Sequence, residues 1–225
     1  ALVYRFSVGR DEHGQSTILV KNDMLDRYGI TAEQLHDDAM MSAPQIEAPS
    51  MKTLFETTAE IMGEDFFELM GEVEPAMPGV YVFTNESKHH GASVLMYPDF
   101  MDEVADKLGG DFYIIPSSIH ETLLFPAKDV ENYHDLEAMV REVNETQVAP
   151  EERLSDNVYH YDAEAKVFEL AEHHEQRIAD MDRDSEDRSE KASVLKDLTA
   201  KSKEVAEKAP KEHAAPKKSR AEEAL

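Results

Sequence analysis

The sequence predicts an α+β domain: an antiparallel sheet built from β-hairpins, helices packed on one of its faces, and a disordered charged C-terminal tail. Three observations carry this reading. Short apolar runs pair across turn-forming residues, as at 112–115 and 121–125 around 116–120. Capped amphipathic helices alternate with these runs. From about Asp180 the chain turns to Lys, Glu, Ala and Ser with few large apolar residues.

Taken in order, residues 4–8 and 17–21 read as two strands around a polar loop, 10–15. Thr31-Ala32-Glu33-Gln34 is a capping box that opens a helix to about Met41. Pro44 and Pro49 bracket a linker, and Ser50 opens a helix through Met62. Residues 79–84 and 92–97 form the next expected strand pair. Pro98 suits the first turn of the helix that follows, where its missing N–H costs nothing. Phe100, Met101, Val104, Ala105 and Leu108 share one face of that helix, and Gly109-Gly110 ends it. After the hairpin at 112–125, a helix over 133–146 buries Leu136, Met139, Val140 and Val143. A last short hairpin spans 157–161 and 166–170. In the tail, Val194, Leu195 and Leu198 are the one apolar cluster, and Pro210 and Pro216 break any long helix.

An internal repeat is expected as well. Tyr4, Phe6, Ser7, His13, Gly14 and Ser16 match Tyr81, Phe83, Thr84, His90, Gly91 and Ser93 at one offset. After a one-residue slip Ile18-Leu19-Val20 matches Val94-Leu95-Met96, and Asp23 and Asp26 match Asp99 and Asp102. This predicts two similar ββα units, near 4–26 and 81–102, sharing one sheet. Gly14 and Gly91 would supply positive φ where each loop re-enters it.

The chain has 225 residues, no cysteine and a formal charge of −25. Disulfides, thiol nucleophiles and zinc–thiolate sites are therefore excluded. No apolar run reaches the length of a membrane span, and a cytoplasmic protein without membrane attachment is expected. The chain enters a strand pattern with neither initiator Met nor leader, and further residues are expected upstream in the natural protein. Residues 176–225 hold 12 basic and 12 acidic side chains, so of the 23 and 48 in the whole chain 11 and 36 remain in 1–175. All of the excess negative charge thus sits on the folding body, 1–175, and the tail, 176–225, is neutral. Such a body repels nucleic acid and anionic membranes and favours basic protein partners.

Ser117, Ser118, His120 and Glu121 bring a nucleophile, a base and a carboxylate close together in sequence. Adjacent residues of a tight turn point apart, however, so a turn role is the expected one, with Ser118, His120 and Glu121 as weak catalytic candidates. Histidines at 89, 90, 120, 134, 160, 173 and 174 lack the i, i+4 spacing of a helical metal motif; His90, His120 and His160 are the least improbable ligands. No phosphate-cradling Gly-rich loop is present. No cofactor is expected.

Residues 84–88 (Thr-Asn-Glu-Ser-Lys) and 114–121 (Ile-Ile-Pro-Ser-Ser-Ile-His-Glu) resemble an uncharacterised bacterial family of gut anaerobes, domain of unknown function 5688. Residues 143–150, 154–159, 3–6 and 18–22 are similar to its other segments. The resemblance covers about 2–170 and implies one coherent domain, whose members extend further upstream, without implying an activity. The expectation is a non-enzymatic binding or adaptor protein whose acidic body meets a basic partner. The alternative is a hydrolase or metal-dependent enzyme centred on His120 and Glu121.

Overall fold

The computed structural model describes residues 2–11, 14–63, 79–116 and 118–208. The chain divides into two compact units, Ala1–His174 and Glu175–Leu225.

The first unit is mixed α+β. Strands β1 (Arg5–Asp11) and β2 (Gly14–Leu19) form a two-stranded antiparallel hairpin, followed by helices α1 (Asn22–Tyr28) and α2 (Ala32–Ile46). Next come β3 (Pro49–Thr53), α3 (Leu54–Met62) and β4 (Tyr81–Asn85). A 3-10 helix, Gly91–Met96, leads to α4 (Phe100–Leu108). The hairpin of β5 (Phe112–Ile115) and β6 (Thr122–Pro126) precedes α5 (Tyr133–Thr146). The hairpin of β7 (Tyr159–Asp162) and β8 (Val167–Leu170) runs into α6 (Ala171–Lys208). Apart from β1 and β2, these strands make one six-stranded antiparallel sheet in the order β3-β4-β6-β5-β7-β8.

Side chains alternate across this sheet with period two. Phe83, Phe112, Ile114, Leu124 and Tyr161 turn to one face and pack with Val94, Tyr97, Phe100, Met101, Val104, Ala105 and Leu108. Ile115, Phe125 and Val158 turn to the other and pack with Tyr133, Leu136 and Val140. Helices thus cover both faces, α4 one and α5 the other, where one covered face is expected from the sequence. The physical reason is that β5 and β6 are apolar at successive positions, and such strands must be buried on both sides.

Several elements match their expectations closely. α5 spans 133–146, with Asn132 as its cap accepting from the His134 N–H at 3.2 Å. α4 ends at Gly109, whose φ of 81° is the left-handed cap. The Thr31 capping box forms, with Gln34 N–H donating to Thr31 Oγ1 at 3.1 Å and Thr31 N–H to Gln34 Oε1 at 2.9 Å.

Elsewhere tertiary structure overrides the local reading. α2 runs through Pro44 to Ile46, because the Tyr97 hydroxyl anchors its end by donating to Glu47 O at 3.0 Å and Ala43 packs on the core. Ser50 lies in β3, and the cap of α3 is Thr53: Glu56 N–H donates to Thr53 Oγ1 and Thr53 N–H to Glu56 Oε2. The expected strand at 92–97 is the 3-10 helix, since both edges of β4 are already taken, by β3 and by β6. The two supposed repeat units therefore differ in structure, and β1–β2 forms its own sheet. Residues 64–78 and His13 lie outside the described residues, as does Ser117. In the second unit, residues 175–208 continue the helix, with Val194, Leu195 and Leu198 exposed. The remainder of the expected disordered tail, 209–225, lies outside the described residues.

Candidate functional site

The segment after β4 is held by Asn85, 3% exposed, whose Oδ1 accepts from His89 N–H at 3.2 Å and whose Nδ2 donates to His89 O at 3.0 Å. This loop places Lys88 and His90 in the left-handed region, at φ 56° and 53°. That conformation costs a non-glycine residue on the order of 1 kcal/mol or more and is held by its surroundings. The positive φ expected at Gly91 thus falls on His90 instead. Gly91 has a different duty: a Cβ there would stand 2.1 Å from Thr84 Oγ1, 2.4 Å from His120 O and 2.8 Å from Asn85 N. Only a glycine lets the three segments meet.

The loop brings His89, His90 and His120 together, with ring centroids 4.0 to 5.5 Å apart. His90 N–H donates to His120 Nδ1 at 3.2 Å, which puts the His120 ring proton on Nε2, facing Glu152 Oε1 at 3.4 Å. Both nitrogens of His120 are engaged, and its carboxylate neighbour is Glu152. Glu121 is exposed just before β6. Ser118 Oγ accepts from the His120 backbone N–H at 3.0 Å, which is turn geometry.

Burial first, then the neighbouring charges of His89, Arg5 and His120, hold the His90 imidazole down at about 4. An unfolded histidine titrates near about 6.5. The unfolded chain therefore takes up a proton in a window where the folded one does not, and stability present above pH 6.5 is lost as pH falls toward 4. His160, held at about 4 chiefly by burial, adds to the same slope. The urea midpoint should fall between pH 7 and pH 4.5, and His90→Asn, which tolerates the left-handed φ, should shrink that fall. An unchanged pH dependence in the variant would contradict the assignment.

A second group lies on the α5 side of the sheet. His160, on β7 opposite Tyr113 of β5, is 2% exposed. Its Nε2 stands 3.7 Å from Asp111 Oδ2, and its ring stacks on that of His174 at 3.7 Å. Asp111, His160 and His174 each present a ligand atom within 4.8 Å of the others. Of the histidines singled out from sequence, His90 and His120 come together, whereas His160 keeps this different company. Asp111 carries no local signal of its own, and its place follows from the β5–β7 pairing.

This architecture defines an antiparallel α+β domain with a helix layer on each face of its main sheet. The chain belongs to the family of unknown function DUF5688, whose family model matches residues 1–163. Neither a curated protein nor a solved structure matched the chain.

Proposed function

We propose that the protein is a non-enzymatic binding module whose acidic body docks onto a basic protein surface. The observation that carries this reading is the charge partition, 36 acidic against 11 basic residues in 1–175, with a neutral remainder. The acidic side chains stand outward on short helices: Asp23 and Asp26 on α1, Glu33, Asp37 and Asp38 on α2, and Glu142 and Glu145 on α5 are all exposed. A field of this sign steers basic partners and repels phosphate backbones and anionic lipid. Nδ1, the His120 nitrogen that carries the lone pair, is taken up by the His90 N–H, which weakens the case for that residue as a general base. No described helix is long and apolar enough to cross a membrane.

The test is capture of partners from native lysate on the immobilised full chain, followed by titration of the purified partner. Affinity should drop at least tenfold between about 0.1 and 1 M salt, as the Debye length shrinks from about 10 to about 3 Å. Reversing Glu33, Asp37 and Asp38 to lysine should weaken binding similarly at low salt. A partner of acidic surface, or affinity indifferent to both salt and charge reversal, would refute the reading.

A further inference from the structure

We propose that Asp111, His160 and His174 form a binding site for one divalent first-row transition-metal ion. Two independent observations converge on it. The first is donor geometry. Asp111 Oδ2 and His160 Nε2 are 3.7 Å apart, and all three ligand atoms lie within 4.8 Å of one another. With bonds of about 2.1 Å, two ligands on one ion stand about 3.4 Å apart in a tetrahedral site and about 4.2 Å apart across an octahedral one. Binding therefore asks for closure of up to about 1.4 Å toward a tetrahedral site, and, because the two rings are stacked with planes 21° apart, for the His174 ring to turn so that its in-plane lone pair meets the ion.

The second observation is that His160, though fully buried, lacks good hydrogen bonds. Its Nδ1 has no partner, and its Nε2 lies beyond hydrogen-bond range of Asp111. A buried imidazole with neither nitrogen in a full hydrogen bond is costly, and an ion at Nε2 would satisfy one of the two.

The supporting groups have the arrangement that metal ligands use. Ala163 N–H donates to Asp111 Oδ1 at 2.9 Å, which orients the carboxylate and leaves Oδ2 toward His160. His174 Nδ1 faces Glu169 Oε1 at 3.5 Å, so a carboxylate stands beside the ring of this ligand as well. Two imidazoles and a carboxylate suit zinc, nickel, cobalt or iron(II) over calcium or magnesium. Asp111, its side chain 39% exposed, gives the ion a path from solvent and leaves coordination positions for water. The ion would join the residue before β5, the middle of β7 and the first turn of α6, all within the first unit.

The full chain, stripped with chelator, would be titrated with Zn²⁺ and Ni²⁺ by calorimetry and with Co²⁺ by visible absorption. One equivalent should bind tightly. Asp111→Asn and His174→Gln should each weaken it at least tenfold, and Glu169→Gln by about 10-fold or more, as losing a ligand's supporting carboxylate does. His90→Asn with His120→Gln should leave it unchanged. Circular dichroism would show which variants fold; His174→Gln and Glu169→Gln, at partly exposed positions, suffice if Asp111→Asn does not. Absence of a tight equivalent, or one that survives these substitutions or disappears with His90 and His120, would overturn the site.

Discussion

Gly91→Ala should destabilise the protein by about 4 kcal/mol, near the upper end for a point substitution. A methyl group at this position meets Thr84 Oγ1, His120 O and Asn85 N, all at under 3.0 Å. The threonine hydroxyl can rotate, but only by giving up its bond to His120 O at 2.8 Å. The other two atoms are backbone and cannot swing aside, so relief requires separating β4 from the turn at 118–120. That in turn breaks the Ala92 N–H bond to Ile119 O and the His90 N–H bond to His120. Denaturant unfolding should show a lower midpoint at unchanged slope. A loss below about 1 kcal/mol would mean that the junction is looser than described.

Phe83→Ala should cost about 3 to 5 kcal/mol through lost transfer energy and the cavity left behind. Phe83 is fully buried on β4, one strand in from the sheet edge, and stacks on Phe100 with centroids 4.6 Å apart and planes at 18°. Its neighbours across the strands, Met51 and Thr122, are themselves held in the sheet, so the space cannot collapse readily. Ile61→Ala, at a position 76% exposed on α3, should stay within about 0.5 kcal/mol under the same measurement. Comparable losses at the two positions would show that this core does not carry the fold.

The legible parts of the sequence were those with local chemistry. The α5 span followed from the spacing of Leu136, Met139, Val140 and Val143, and α4 from its apolar face and Gly109. The Thr53–Glu56 capping box was equally local, but Ser50 offered a competing cap and β3 was lost as a result. Residues 92–97 are apolar whether they form a strand or a 3-10 helix; the choice depends on β6 having occupied the edge of β4. Two-sided burial was written in β5 and β6, where Phe112 to Ile115 and Leu123 to Phe125 are apolar without alternation. The site was far less legible. Glu152 reaches His120 from 32 residues away, and Asp111, His160 and His174 meet through strand pairing that no short motif announces.

Among the described residues the main sheet has two unpaired margins, and each is blunted. At one, β3 begins with Pro49, which cannot donate to a neighbouring strand, and carries Lys52, whose ammonium is held by Glu60. At the other, β8 is only four residues long. An incoming strand from another molecule would find little to template on, and both molecules would bring the same strong negative charge to the encounter. The protein is thereby built against growth of the sheet from molecule to molecule, so that crowding should leave it dispersed where a flatter, neutral edge would seed fibrils.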